Sequence, residues 1–305
     1  MQGRSRFSRK LKRTPKAMHT DIDVGIDGGK TWIKALAKVV QGKKKLKSPI
    51  LIAGFPGAGL VGSISTSYII NKLHMNQIAC VESEFIVPGV IYAQGKLRHP
   101  FRLYSNQEGD VCVLVCEAPV MIHGMYSVLD TVMKWAINNQ VQEVIVLDGI
   151  PAEGLPDPKR KPIILTSDGK KADEANLIED MVDLMDEKRT DNGGNVYLTT
   201  AFIGGLSGGL LSSCLSNGIA SKALLISSSR GIPDPEGAAF LLESLGKVSN
   251  YGTLKIDTDQ LRKQGAILKR RMEKILQSYA EHQPGLSQQA EGENPEKVRE
   301  GVMYG

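Results

Sequence analysis

The chain has 305 residues, 41% of them apolar and only 5% aromatic, with 32 glycines and a formal net charge of +5. That length and apolar fraction suit one large α/β domain or two small ones built around a sizeable core. The scarcity of rings argues against a protein that stacks single-stranded nucleic acid on aromatic platforms.

Residues 1–20 hold Arg4, Arg6, Arg9, Lys10, Lys12, Arg13 and Lys16 with no acid. They read as a disordered basic arm, and no apolar run follows to make a secretory leader. Such an arm can touch phosphates or anionic lipid, but it reads first as a solvated extension. Residues 21–47 are ambiguous, with an edge strand expected in TWIKALAKVV (31–40).

From 48 to 256 the pattern alternates between strand and helix. PILIAGF (49–55), IACVES (78–83), DVCVLVC (110–116), EVIVLDGI (143–150), VYLTTAFIG (196–204) and KALLISSSR (222–230) are short apolar runs bounded by turn residues, as buried strands are. Helices are predicted over 60–73, 124–139, 176–188 and 235–248, with another after Gly208-Gly209. Together these predict an α/β fold: a mostly parallel sheet covered by helices on both faces. A C-terminal helix is predicted over 257–280, opened by a capping box of Asp257 and Gln260. Residues 281–305 are rich in Gln, Glu, Gly and Pro and read as a flexible tail.

Four cysteines are present, and the even spacing of Cys112 and Cys116 puts both on one strand face. None stands at local zinc-ligand spacing, so buried, reduced thiols and no metal are expected. The uncharged stretch 192–221 carries too much Gly, Ser and Asn for a membrane span. A soluble, cytoplasmic chain is therefore expected, with neither membrane nor nucleic acid as a partner.

Three features could carry function. The first is Gly57, Gly59 and Gly62, a G-x-G-x-x-G run that follows a strand and opens a helix, with Glu82 about twenty residues on. That is the context of a dinucleotide cradle, in which a helix N-terminus meets a pyrophosphate and the acid holds a ribose. The same glycines also suit a tight, closely packed turn. The second feature is a set of strand-end residues: His123, Asp148 and Asp234. They stand where α/β folds place ligands, although turn chemistry accounts for the two aspartates as well. The third is the end of the chain, where Met303-Tyr304-Gly305 sets a hydrophobe, a phenol and the terminal carboxylate in fixed order. By chance a hydrophobe followed by a penultimate Tyr occurs in roughly 1% of chains of such composition. Such an end can fill a pocket, and a lysine there can pair with the carboxylate. As a random coil, the tail would span about 25–30 Å.

Read at full length, PILIAGFPGAGLVGSISTSYII (49–70), VIVLDGIPAEG (144–154) and LLISSSRGIPDPEGAAFLLESL (224–245) resemble the proteasome assembly chaperone 2 family in its archaeal branch. The resemblance implies a sheet related to nucleoside-phosphorylase-like folds, without their catalysis and without a cofactor. It implies that Gly57, Gly59 and Gly62 shape a turn rather than hold NAD. It also implies homo-oligomers that bind proteasome core particle α-subunits, with Met303, Tyr304 and Gly305 matching the hydrophobic-Tyr-X ends of some members. The alternative reading is a nucleotide- or dinucleotide-binding enzyme using Gly57, Gly59, Gly62 and Glu82.

Overall fold

The computed structural model describes residues 16–19, 22–27, 30–35, 37–42, 44–93, 95–154, 156–167, 202–248 and 254–282, with side-chain surroundings between 37 and 271. The chain enters through β1 (Lys16–His19), a hairpin of β2 (Ile22–Asp27) and β3 (Lys30–Ala35), and β4 (Ala37–Gln41). β5 (Ile50–Gly54) runs through the glycine loop into α1 (Val61–Lys72). Then come β6 (Asn76–Ser83), a hairpin of β7 (Ile91–Ala93) and β8 (Lys96–Arg98), β9 (Phe101–Ser105) and β10 (Val111–Cys116). The rest comprises α2 (Met125–Asn138), β11 (Glu143–Ala152), β12 (Ile163–Thr166), α3 (Gly205–Asn217), β13 (Ala220–Ser229), α4 (Pro235–Val248) and α5 (Asp259–His282).

Among the described residues, nine strands form one sheet in the order β1-β4-β6-β9-β10-β5-β11-β13-β12. Its centre, β10-β5-β11-β13, is parallel, as the apolar runs predict. Both flanks are antiparallel, through β9, β6, β4 and β1 on one side and β12 on the other. The segment expected to be a basic arm therefore ends in a strand, with Lys16 to His19 pairing along β4.

Period-two alternation divides the core into two layers. On one face Ile50, Ile52, Val113, Val115, Ile145 and Leu147 pack under α1 and α4. On the other, Leu51, Ala53, Cys112, Leu114, Val144 and Val146 pack under α2 and α3. Full burial of each Val, Leu or Ile among them is worth about 1.5–3 kcal/mol, so the centre of the sheet contributes heavily to the stability of the fold. Cys112 and Cys116 do share a face, and all four thiols are free and buried.

Helix α1 meets β5 closely at Gly54 and Gly62. A Cβ on Gly54 would come within 2.3 Å of the Gly62 carbonyl oxygen. The helix expected after Gly208-Gly209 instead begins at Gly205 and includes both glycines. Close packing explains them: a Cβ on Gly209 would meet Leu129 Cδ1 of α2 at 2.4 Å. The start of α5 also differs from the expected capping box. The Asp257 carboxylate accepts from the N–H of Asp259, while the Thr258 hydroxyl donates to Glu243. The helix expected over 176–188 lies outside the described residues. So does most of the strand expected over 196–204, of which Phe202 to Gly204 lead into α3 without strand structure.

Candidate functional site

The glycine loop sits at the carboxyl end of β5, between β10 and β11, where open α/β sheets place ligands. Each of its glycines faces protein atoms. A Cβ on Gly57 would lie 2.4 Å from Asp148 Oδ1, and one on Gly62 would lie 2.4 Å from the Leu147 carbonyl oxygen. Gly59 has a φ of +62°, and a Cβ there would meet Ser228 Oγ at 1.9 Å. The loop is therefore clamped between the end of β11 and the end of β13. The space beside Gly57 holds a carboxylate, which would repel a pyrophosphate.

The Pro233-Asp234-Pro235 segment closes the clamp from the far side. The Asp234 N–H donates to the Gly59 carbonyl at 2.8 Å. The Asp234 carboxylate caps α4 by accepting from the Gly237 N–H at 2.8 Å, and it also accepts from the Ser228 hydroxyl at 2.7 Å. Arg160 reaches the same carboxylate with 2.7 Å contacts to each oxygen. Both partners are nearly buried, with side chains 5% and 10% exposed.

In front of the loop lies a cavity of ≈910 Å³, lined mainly by apolar groups including Phe55, Met125, Ile150 and Phe202. Asp148 is a polar group on its wall. Its carboxylate accepts from the Ser207 hydroxyl at 2.5 Å and from the Gly149 N–H at 2.7 Å. Burial pushes the Asp148 carboxyl above its ordinary range, against the pull of these two donors. Glu117, also on the wall, is engaged by Arg102.

The structure thus brings Gly57, Gly59, Gly62, Asp148 and Asp234 together, all singled out from sequence. It places Glu82 elsewhere. β9 and β10 stand between β6 and β5, and Glu82 pairs with Lys38 at 2.9 Å. A dinucleotide fold needs its acid on the strand beside the glycine loop. His123 is exposed and contributes an edge-on ring contact to Phe85 at 5.3 Å. Met303, Tyr304 and Gly305 lie outside the described residues. Arg160, Ser207 and Ser228 were not legible in advance. Nothing in a lone arginine after Pro-Asp-Pro, or in serines within Ser-rich runs, marks them as partners of distant carboxylates.

Among the described residues no helix is long and apolar enough to cross a membrane. In amino-acid sequence the chain is 26% identical to an uncharacterized protein of Methanocaldococcus jannaschii over 250 residues, 81% of this chain and 93% of that one. In structure it resembles a Thermoplasma acidophilum protein of unknown function with a TM-score of 0.60 and 31% identity, covering 79% of this chain and 90% of that one. It also resembles Pyrococcus furiosus PbaA, an archaeal homolog of proteasome-assembly chaperone, with a TM-score of 0.65 and 21% identity over 83% of this chain and 98% of that one. A third likeness is to Pyrococcus furiosus PbaB, an archaeal proteasome activator, with a TM-score of 0.60 and 19% identity over 78% and 98%. The sequence profile of the PAC2 family spans residues 51–276, taking in all three segments that meet at the clamped loop, and the chain belongs to that family.

Proposed function

We propose that this chain is a non-enzymatic proteasome-binding protein, an assembly chaperone or activator-like factor. It docks on the α-subunits of the core particle through Met303, Tyr304 and Gly305. The reading is carried by one observation: the family-matching segments 54–62, 148–151 and 228–237 hold one another, with each loop glycine packed against protein atoms. The glycines that would cradle a cofactor face protein atoms, which favours a rigid scaffold over a catalytic cleft. Likeness to PbaA and PbaB supports the proteasome as the partner.

We further infer a homo-oligomer in the cytoplasm. Large apolar side chains stand exposed on the surface, among them Tyr92 opposite Leu97 on the β7–β8 hairpin, Ile122 in the turn before α2, and Tyr126 in the first turn of α2. Ile122 is 85% and Tyr126 80% exposed, and apolar groups of this size in the open suit a contact face. Several tails on one oligomer bind multivalently, so weak single contacts suffice.

The test is co-sedimentation with core particles of the full chain and of a variant lacking Met303 to Gly305. The full chain is expected to co-sediment and the truncated one to remain in the supernatant with an unchanged melting profile. Equal binding by both would overturn the tail mechanism, and binding by neither would overturn the partner.

A further inference from the structure

On the antiparallel flank of the sheet, three side chains of metal-ligand type converge from separate parts of the sequence. Cys80 and Glu82 are two residues apart on β6 and so project from the same face. His99 lies in the connection from β8 into β9, the strand that pairs with β6. One donor atom from each, the Cys80 sulfur, a Glu82 carboxylate oxygen and an imidazole nitrogen of His99, lie within 4.8 Å of one another. From this geometry we propose that Cys80, Glu82 and His99 form a binding site for a zinc-class divalent transition-metal ion.

Zinc binds thiolate sulfur at about 2.3 Å, imidazole nitrogen at about 2.0–2.1 Å and carboxylate oxygen at about 2.0–2.2 Å. Tetrahedral placement at those lengths sets neighbouring donors roughly 3.3–3.8 Å apart. The donors therefore need to draw in by about 1 Å, which rotation of the exposed His99 and the half-exposed Glu82 side chains can supply. A mixed sulfur, nitrogen and oxygen set selects zinc, cobalt and their neighbours over magnesium and calcium, which take oxygen ligands. Three protein ligands leave a fourth position for water or for a group from a partner.

The surroundings suit a site that fills and empties. Lys38 neutralises Glu82 at 2.9 Å, with side chains 36% and 40% exposed. An exposed pair of this kind is worth at most about 1 kcal/mol, so an incoming dication displaces the ammonium easily. Arg102, opposite Cys80 across β6 and β9, is already committed to Glu117, and it also donates to the His99 carbonyl at 2.5 Å. That bond fixes the backbone from which the imidazole reaches. The bound ion would tie the end of β6 to the entry of β9 by a link that the sheet hydrogen bonds do not provide.

Cobalt titration of the full-length reduced protein tests this directly. One equivalent per chain is expected to produce a thiolate-to-cobalt charge-transfer band in the near ultraviolet and visible bands of tetrahedral intensity, and zinc is expected to bleach both. Cys80→Ser should lose the charge-transfer band. Cys112→Ser should retain it. His99→Gln, a change at an exposed position that leaves the fold intact, should lose the tetrahedral bands and require at least about ten times more cobalt for any signal. Absence of stoichiometric cobalt binding by the native chain overturns the proposal. So does a charge-transfer band that survives Cys80→Ser, or a spectrum unmoved by His99→Gln.

Discussion

Arg160 holds Asp234 by both carboxylate oxygens, each at 2.7 Å, across a separation of 74 residues in sequence. The pair is nearly dry, and Arg160 also lies 5.7 Å above the Phe240 ring. Deleting one partner of a buried ion pair leaves the other uncompensated, at about 3–5 kcal/mol. Asp234→Ala and Arg160→Ala are each expected to destabilise on that scale in urea unfolding. The double variant should lose clearly less than the sum of the two. Additive losses would mean that the two groups do not depend on each other.

Gly59 offers a sharper probe of the loop. Its left-handed backbone and the 1.9 Å approach of Ser228 Oγ to an added Cβ both oppose a side chain. Gly59→Ala should cost about 1–3 kcal/mol, the usual range for overpacking. Calorimetric titration of the native chain with NAD, NADP or ATP should give no saturable heat. Micromolar binding that Gly59→Val abolishes would restore the cradle reading.

Asp148 makes stability depend on pH. Its folded pKa is raised, chiefly by burial, with Ser207 and Gly149 pulling it down. Its contribution is thus fully present below the unfolded carboxyl value of about 3.9 and is lost as pH rises through the folded value. Asp148→Asn removes that loss. The stability of the variant relative to the native chain should rise across this window and level off above it, as followed by unfolding at a series of pH values. A constant difference would mean that the carboxyl titrates alike in both states.

The thiols should be nearly inert in the folded state. Burial pushes Cys112 and Cys214 up to about 12 and Cys116 up to about 11. Thiolate is the reactive form, so alkylation with iodoacetamide at pH 8 should be slow until the chain unfolds. Cys80 is also raised to about 11, through burial and the nearby Glu82 against the pull of Lys38. It is 6% exposed and should react before the fully buried Cys112, Cys116 and Cys214. Rapid modification of all four in the native state would contradict the packing described for the layer under α2 and α3.

Much of the parallel centre was legible because its strands are buried on both faces and so read as unbroken apolar runs, as in DVCVLVC (110–116) and EVIVLDGI (143–150). The flanking direction of β6 was not, because IACVES carries no local mark of which neighbour it will pair with or in which sense. The loop was legible in part. GAGLVG announced a turn at a strand end, but a glycine needed for a carboxylate neighbour looks the same in sequence as one needed for a phosphate. Only the placement of Asp148 and Ser228 separates the two. Glu82 matched a spacing rule that presumes adjacent strands, and the intervening β9 and β10 remove that premise.

The clamp also has a temporal side. Gly59 is made early, while Ser228 and Asp234, which complete its surroundings, come only after most of the chain. At about 5–20 residues per second the interval is on the order of 10–30 s. During that time the turn after β5 has been made without the end of β13 and the Asp234 segment that enclose it. An apolar strand end that waits this long for its cover is open to wrong contacts during synthesis.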